Sequence, residues 1–408
     1  MGNKLTTQIL VAMVLGVVVG ILFRESAAFL QPVGDVFIRL LKMIIVPLVF
    51  SSLVVGVVSL GSVQNLGRLG TRTFFYYLVT TIMAVLIGLI VVNFIKPGVD
   101  TVIDLSAFHS PPAFASSSDS VTFLSVIIDI VPQNIINAIS AENMLGVIFF
   151  SIVFGSALLS LSAKGEVLKS TIEDFNDVFL KITDWIMKLS PIGVFALLAA
   201  LVGQTGFSIF KPIAFYVAAV LLSLFIHLFF SLSGILLVVV RYSPITFFKK
   251  MFPAIAMAFS TDSSIATLPV TMDCLEKNVG VSKKVVGFIT PLGATVNMDG
   301  TALYEAVAAV FIAQVVGIDL PITQQLIIMI TAILASVGAA GIPSAGLVTM
   351  VIVLKSVNLP LEGIGILLAV DRILDMFRTT VNVISDSCGA LVIARFEGEQ
   401  FGADDTGF

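Results

Sequence analysis

Charged side chains are scarce in this chain: Asp, Glu, Lys and Arg make up 12% of its 408 residues, whereas soluble domains carry about 25%. Hydrophobic residues make up 58%, and the mean hydropathy is +1.09. A water-soluble fold could not bury that much apolar surface. Apolar runs of about 20 residues, long enough to cross a hydrocarbon core of about 30 Å, recur along the sequence. The composition therefore excludes a soluble globular protein and predicts a polytopic membrane protein.

Cysteine and histidine are also rare. Two cysteines, Cys274 and Cys388, cannot form a disulfide framework, and they lack the paired spacing of a zinc or redox site. We interpret them as small buried hydrophobic residues. The two histidines, His109 and His227, have no metal-ligand neighbours in the sequence, so a metalloenzyme is not expected.

Long apolar runs predict an all-α membrane protein. Between them, residues 97–120 contain several prolines and a serine run but no Lys or Arg, which indicates an exposed loop. Helical spans are predicted at about residues 6–23, 36–60, 73–95, 169–203 and 212–241, with a long interrupted region at 121–161. More spans follow the first one directly, so we interpret it as a helix and not as a cleaved signal peptide.

Basic residues mark the segments expected on the cytoplasmic side. They lie at Lys4, Arg68, Arg72, Lys164, Lys169, Arg241, Lys249, Lys250, Lys277, Lys283, Lys284 and Arg395. Both termini are then cytoplasmic and the 97–120 loop is outside. Between 241–250 and 277–284 there is too little chain for two spans of about 20 residues each. The chain must therefore enter and return on one side, around a polar turn at 260–264, as a re-entrant hairpin that lines a site.

A second interrupted segment runs from about residue 322 to 357. Its break, at 336–346, is rich in glycine and alanine and contains Pro343. The small residues could also be a helix-packing surface. Two such segments close together favour a carrier, because paired broken helices hold the substrate near the middle of the membrane in many transporters.

Polar residues interrupt the apolar helix predicted at 285–316. Asn297, Asp299 and Gly300 lie together near its middle, where a glycine loosens the helical hydrogen bonds. Carbonyl, amide and carboxylate oxygens are the ligands that hard cations prefer. The sequence therefore predicts a cation site at this break.

The final predicted helix carries several charges. Asp371, Asp375, Arg378 and Asn382 follow one another at spacings of four, three and four residues, so they share one helix face. A guanidinium can bind a carboxylate through two hydrogen bonds, and a carboxylate can accept from an ammonium group. This face suits a zwitterion with an acidic side chain. A purely structural Arg378–Asp375 ion pair is the alternative interpretation.

Four motifs carry a family resemblance: 261–269, Asn297-Met298-Asp299-Gly300-Thr301, 336–346 and 375–386. With them, the chain from Pro47 to Arg395 resembles the dicarboxylate/amino acid:cation symporter family. That family includes excitatory amino acid transporters and archaeal aspartate transporters, and an archaeal member is a standard example of inverted-repeat architecture. The resemblance implies eight transmembrane helices plus two re-entrant helical hairpins, in a homotrimer that works as an elevator.

The same resemblance implies a division of the chain. Residues 1–160 would form scaffold and trimerisation helices, with the third helix contributing to the transport domain, and residues 161–241 would form scaffold and linking helices. Residues 242–396 would be the transport domain and 397–408 a cytoplasmic tail. The implied location is the cell membrane, with membrane lipids around the protein and no nucleic-acid partner.

For the substrate, the resemblance assigns the side-chain carboxylate to Arg378 and the amino group to Asp375. Other pocket positions would be Asn382, Thr379, Thr301, Asp262, Ser263, Ser264, Ile342 and Gly346.

The resemblance also implies three sodium sites. The first would comprise Asp386 with carbonyls of Gly293, Asn297 and Asn382. The second would comprise Thr295 and Met298 with carbonyls of Ser336, Val337 and Ala339. The third would comprise Asp299 and Asn297 with Tyr77, Thr80 and Thr81, a group that we would otherwise interpret as a helix-packing surface.

Three positions differ from, or vary within, the family pattern. Asp262 stands where members usually have serine or arginine, and Met376 stands where some members have arginine. An extra carboxylate at Asp262 should weaken binding of an anion unless it is protonated or paired, with Arg372 as a candidate partner. Glu305 matches the proton-carrying position of excitatory transporters, so we expect proton co-transport and potassium-assisted return.

The leading hypothesis is a secondary active symporter of L-aspartate or L-glutamate driven by sodium, not an enzyme. An ion channel is disfavoured because no ring-forming filter is visible. A membrane enzyme using Asp371 and Asp375 lacks a nucleophile elbow, metal triad or phosphate loop. A neutral amino acid or C4-dicarboxylate carrier remains an alternative, although Arg378 argues against the first substrate class and Asp375 against the second.

Overall fold

The computed structural model describes residues 2–59, 63–99, 131–140, 143–337 and 345–399. Over those ranges the regular structure is helical and contains no strand. The helices are α1 (Gly2–Phe23), α2 (Gln31–Ser59), α3 (Val63–Ile95), α4 (Ile135–Ser140), α5 (Met144–Ser160), α6 (Glu166–Lys188), α7 (Ser190–Thr205), α8 (Phe210–Ile226), α9 (Pro244–Thr261), α10 (Ser264–Asp273), α11 (Lys283–Val296), α12 (Asp299–Val315), α13 (Ile322–Val337), α14 (Ala345–Ser356) and α15 (Ile364–Phe396). The predicted loop at 97–120 lies almost entirely outside the described residues.

Several helical stretches are long and apolar enough to cross a membrane. Within the described ranges they are Thr7–Val58, Leu69–Ile95, Phe210–Val240 and Lys283–Val315. The first is 52 residues long, about 78 Å as a straight helix, which exceeds twice a hydrocarbon core of about 30 Å. It is broken at Arg24, whose φ is +47°, between the two spans predicted there. The protein is thus a multi-pass membrane protein.

The helical span predicted at 169–203 is present but bent. Two helices, α6 and α7, meet at Leu189 and are bent by 50°. Pro191 stands in the first turn of α7. Proline has no N–H with which to continue the hydrogen bonds of the preceding helix, and its ring clashes with the carbonyl four residues earlier. The Ser190-Pro191 pair therefore starts a new helix.

A helical hairpin forms around the polar turn at 260–264. The helix α9 ends at Thr261, where Asp262 takes a left-handed conformation with φ +52°. Ser263 is extended and caps α10, because its hydroxyl accepts from the Ala266 N–H at 3.2 Å. Far from this tip, the Asn278 amide donates to the Lys250 carbonyl at 3.0 Å. The two arms therefore run back along each other.

The predicted interruption at 297–300 is present as a break between α11 and α12. Asn297 has φ −101° and ψ +100°, and Met298 has φ −125° and ψ +57°, so neither is helical. The helix α12 is buried along its length except at Gln314. It contacts α3, α8, α13, α14 and α15. The break therefore lies inside the protein, surrounded by other helices.

The second interrupted segment is described only at its arms. Helices α13 and α14 pack against each other and against α12. Ser336 and Val337 are the last helical residues of α13, and Gly346 lies in the first turn of α14. Residues 338–344 lie outside the described residues, and with them the predicted site residues Ala339 and Ile342.

Candidate functional site

Arg378 lies fully buried on α15 among acidic and aromatic side chains. Its Nη2 atom is 2.8 Å from Oδ1 of Asp375 and 3.0 Å from Oδ1 of Asp371. Its guanidinium carbon is 3.8 Å from the centre of the Tyr304 ring, a distance at which a cation is attracted to an aromatic face. The Nη2 atom of the guanidinium thus contacts two carboxylates, and one face of the guanidinium lies over an aromatic ring.

Two other donors of Arg378, Nε and Nη1, are buried and have no hydrogen-bond acceptor within the described residues. Gly346 leaves room here, because a Cβ at that position would be 2.9 Å from Nη1. Buried donors without acceptors are costly, so these two donors call for an acceptor beyond the described side chains. A ligand carboxylate that reaches Nη1 would supply one through a charge-assisted hydrogen bond.

Asn382 joins the start of α12 to α15 next to Arg378. Its Oδ1 accepts from the Gly300 N–H at 2.8 Å, and its Nδ2 lies 3.3 Å from the Thr301 hydroxyl and 3.2 Å from the sulfur of Met298. The predicted pocket residue Thr379 is also buried on α15. The structure thus brings Asp375, Arg378, Asn382 and Thr301 together, as predicted for a substrate pocket.

The tip of the first hairpin reaches the same helix through an ion pair. Oδ2 of Asp262 is 2.7 Å from Nη2 of Arg372, and both side chains are buried. Of the two ways predicted to offset the extra carboxylate, pairing with Arg372 is the one that the structure contains. The neighbouring tip residues Ser263 and Ser264 are buried as well.

Oxygen atoms of the first predicted sodium set converge around Asp386. Its Oδ1 accepts from the Asn297 amide at 2.8 Å. A Cβ at Gly293 would lie 2.5 Å from Asp386 Oδ1 and 2.7 Å from the Tyr77 hydroxyl. Oδ1 of Asn297 is buried with no partner among the described residues. An unsatisfied amide oxygen close to a buried carboxylate fits a hard cation such as sodium.

The third predicted set surrounds Asp299, which is fully buried. Its Oδ1 accepts from the Thr81 hydroxyl at 2.6 Å and lies 3.4 Å from that of Thr80. Its Oδ2 accepts from the Ser385 hydroxyl at 2.6 Å and lies 3.2 Å from Nε2 of His227. Thr80 and Thr81 of α3 therefore contact the carboxylate with which they were predicted to share a cation.

The residues of the second predicted sodium site make the fewest contacts with one another within the described residues. The Thr295 hydroxyl donates to the Leu292 carbonyl at 2.9 Å, and the Ser336 hydroxyl donates to the Ile333 carbonyl at 2.9 Å. Both bonds stay within the residues' own helices, although α11 and α13 contact each other. Ala339, the third hairpin position of this set, lies outside the described residues.

Comparison with known proteins decides the family. A family model described as the sodium:dicarboxylate symporter family matches residues 5–396. The chain belongs to this family. It is 36% identical over 406 residues to the proton/sodium-glutamate symport protein of Geobacillus stearothermophilus, covering 97% of this chain and 95% of that protein.

Two other relatives differ from the first in organism or in the substrate that their names mention. The chain is 37% identical over 457 residues to excitatory amino acid transporter 3 of Oryctolagus cuniculus, covering 98% and 86% of the two chains. It is 34% identical over 401 residues to the C4-dicarboxylate transport protein of Bacillus subtilis (strain 168), covering 97% and 94%. Each relative covers most of the chain, and the family is one of transporters and not of enzymes.

Glu305 of this symporter links α12 to the second arm of the second interrupted segment. Its carboxylate accepts a hydrogen bond from the Thr349 hydroxyl of α14, and the residue is fully buried. The contact therefore joins the predicted proton carrier to α14, which follows the break predicted at 336–346.

Sequence reasoning missed His227, Ser385 and Tyr304. His227 was set aside because it has no ligand-type neighbours in the sequence, yet it contacts Asp299 from another helix. It begins a π-helical stretch, His227–Leu232, and such distortions are frequent at functional sites. A lone ionisable residue in an apolar span was the available signal. Ser385 directly precedes Asp386 but carried no pattern of its own.

Proposed function

We propose that this protein is a secondary active symporter that uses sodium to carry acidic amino acids, L-aspartate or L-glutamate, across the cell membrane. The observation that carries the proposal is Arg378, a fully buried guanidinium with two donors that lack a partner within the described part of the chain. A side-chain carboxylate of the substrate supplies an acceptor for this guanidinium, and Asp375 beside it accepts from the substrate's amino group.

The Arg378–Asp375 arrangement favours an acidic amino acid over the two alternative substrates. A neutral amino acid would bring no side-chain carboxylate to the donors of Arg378 that lack an acceptor within the described residues. A C4-dicarboxylate, which the name of one relative mentions, has no ammonium group to meet Asp375. The names of other relatives specify glutamate or excitatory amino acids, which is the class that both residues suit.

Sodium is the coupled cation in this proposal. The sets around Asp386 and Asp299 offer carboxylate, amide and hydroxyl oxygens and no thiolate, as hard cations require. The set of Thr295 and Met298 would give a third site. Glu305 carries a proton, which the burial of Glu305 and the proton/sodium name of one relative support. The potassium-assisted return step rests only on the resemblance of this position to that of excitatory transporters.

The architecture proposed with this function has eight transmembrane helices and two re-entrant hairpins, with both termini cytoplasmic. Three copies assemble through scaffold helices in residues 1–241. The helix α3 lies in this range but belongs partly to the transport unit, because it contacts α12. Residues 242–396 move as that transport unit, and residues 397–408 form a tail.

A competition experiment tests the proposal. The purified protein is reconstituted in liposomes, and uptake of labelled aspartate is measured with and without a sodium gradient. We expect saturable, sodium-driven uptake that glutamate inhibits strongly and that succinate and serine inhibit weakly. Uptake that ignores the sodium gradient, or that succinate blocks better than glutamate, would contradict the proposal. Non-saturable flux would instead indicate a channel.

A further inference from the structure

The buried Asp262–Arg372 ion pair is a feature that the proposed binding contacts do not use. Asp262 occupies the tip of the first hairpin in a left-handed conformation, and Arg372 lies on α15 three residues before Asp375. Oδ2 of Asp262 contacts Arg372 at 2.7 Å, whereas its Oδ1 is buried without a hydrogen-bond partner in the described part of the chain. The pair therefore places a carboxylate and a guanidinium at the edge of the pocket.

The pair decides the charge that an incoming substrate meets. In the described part of the pocket, three carboxylates accompany two guanidiniums, at Asp262, Asp371, Asp375, Arg372 and Arg378. Arg378 already faces two of the carboxylates, so Arg372 is the group that offsets Asp262. Buried charges are screened weakly, and an uncompensated carboxylate here would repel a substrate that itself carries two carboxylates.

We propose that Arg372 is a specificity-determining residue, which cancels the charge of Asp262 and so allows the pocket to accept a substrate with net negative charge. The inference rests on the proposed function. Arg372 does not need to touch the substrate: it acts through Asp262. The pocket's preference for acidic over neutral amino acids is then set jointly by the hairpin tip and α15.

The same ion pair could instead act only as a structural contact between the hairpin and α15, a role that we call a latch. Single substitutions separate this role from an effect on the charge of the pocket. Arg372→Met keeps most of the apolar stem but leaves Asp262 unpaired. Asp262→Asn keeps the shape and the left-handed conformation, which asparagine tolerates, but removes the carboxylate charge that faces Arg372. Loss of a latch impairs both variants alike, whereas a change of pocket charge affects them in opposite directions.

The experiment measures the KM for labelled aspartate and its inhibition by asparagine, a neutral amino acid of similar size. We expect Arg372→Met to raise the KM for aspartate by about tenfold or more and Asp262→Asn to lower it by about threefold. Inhibition by asparagine should change much less in either variant. The double variant, with neither charge, should return the aspartate KM to near that of the unmodified protein.

Arg72→Met is the matched control. Arg72 forms a partly exposed ion pair with Glu397 at 3.0 Å, away from the pocket residues, and exposed pairs contribute little. Its aspartate KM should stay unchanged. A rise of the KM in both single variants, with no recovery in the double variant, overturns the inference in favour of a latch. Equal changes for aspartate and asparagine overturn it as well.

The unmodified protein separates this inference from the proposed function. If it shows no sodium-driven aspartate uptake, the proposed function fails and the inference fails with it. If uptake is present but the two single variants do not shift in opposite directions, only the inference fails.

Discussion

Substitution of Gly293 by alanine should specifically damage the cation site proposed at Asp386. A Cβ at this position would lie 2.5 Å from the Asp386 carboxylate and 2.7 Å from the Tyr77 hydroxyl, where ordinary contacts are 3.4–4 Å. The carboxylate must therefore retreat by about 1 Å, several times the tolerance of about 0.2 Å within which metal–ligand distances usually fall. Disturbances of this kind weaken metal binding by about 10–100-fold.

The assay is the sodium concentration that gives half-maximal uptake of aspartate, measured at saturating aspartate. We expect Gly293→Ala to raise this concentration by about 10–100-fold. The KM for aspartate at saturating sodium should change little, because Arg378 and Asp375 do not contact Gly293. The effect is thus expected in the cation dependence and not in the substrate pocket.

Gly287→Ala is the control, because Gly287 lies on the same helix but a Cβ there would have no atom within 4 Å. Alanine is the better helix former by about 1 kcal/mol, so this variant should retain its stability and sodium dependence. If Gly293→Ala and Gly287→Ala show the same half-maximal sodium concentration, Asp386 does not hold a transported cation beside Gly293.

Three further predictions concern single side chains of the site. Arg378→Lys keeps a positive charge but loses the two-pronged donor, so kcat/KM for aspartate should fall by about 100-fold or more in the uptake assay; an unchanged value would argue against carboxylate binding at this residue. Glu305→Gln should abolish the pH dependence of uptake if Glu305 carries the proton, and a retained pH profile would exclude that role. Thr81→Ala removes the 2.6 Å hydrogen bond to Asp299 and should raise half-maximal sodium by about tenfold. An unaltered sodium dependence in this variant would place the third cation elsewhere.

The helix breaks that position the site were predictable from sequence. Polar and small residues inside apolar runs marked the turn at 260–264 and the break at Asn297, because backbone that leaves the helix inside a membrane needs polar partners. Charges spaced by three and four residues likewise placed Asp375 and Arg378 on one helix face. These signals are local, so they do not depend on how distant helices pack.

Contacts between distant helices were less predictable. The family resemblance predicted that Thr81 lies near Asp299. Nothing in the sequence indicated that His227, in the π-helical stretch after α8, would contact the same carboxylate. The bend at Leu189 was missed for a different reason: the apolar pattern continues across it, and the Ser190-Pro191 signal was outweighed by hydrophobic periodicity. Pairing of Asp262 with Arg372 was one of two options until the fold placed the hairpin tip against α15.

One unbroken helix, α15, carries residues of both the proposed substrate pocket and the proposed cation site. From Asp371 to Asp386, α15 rises about 22 Å without a break, with Arg378 in the middle and Asp386, a predicted cation ligand, at one end. A translation of α15 moves both positions by the same amount. The proposed substrate position at Arg378 and the proposed cation position at Asp386 therefore keep a fixed separation along α15 when the helix moves as a unit.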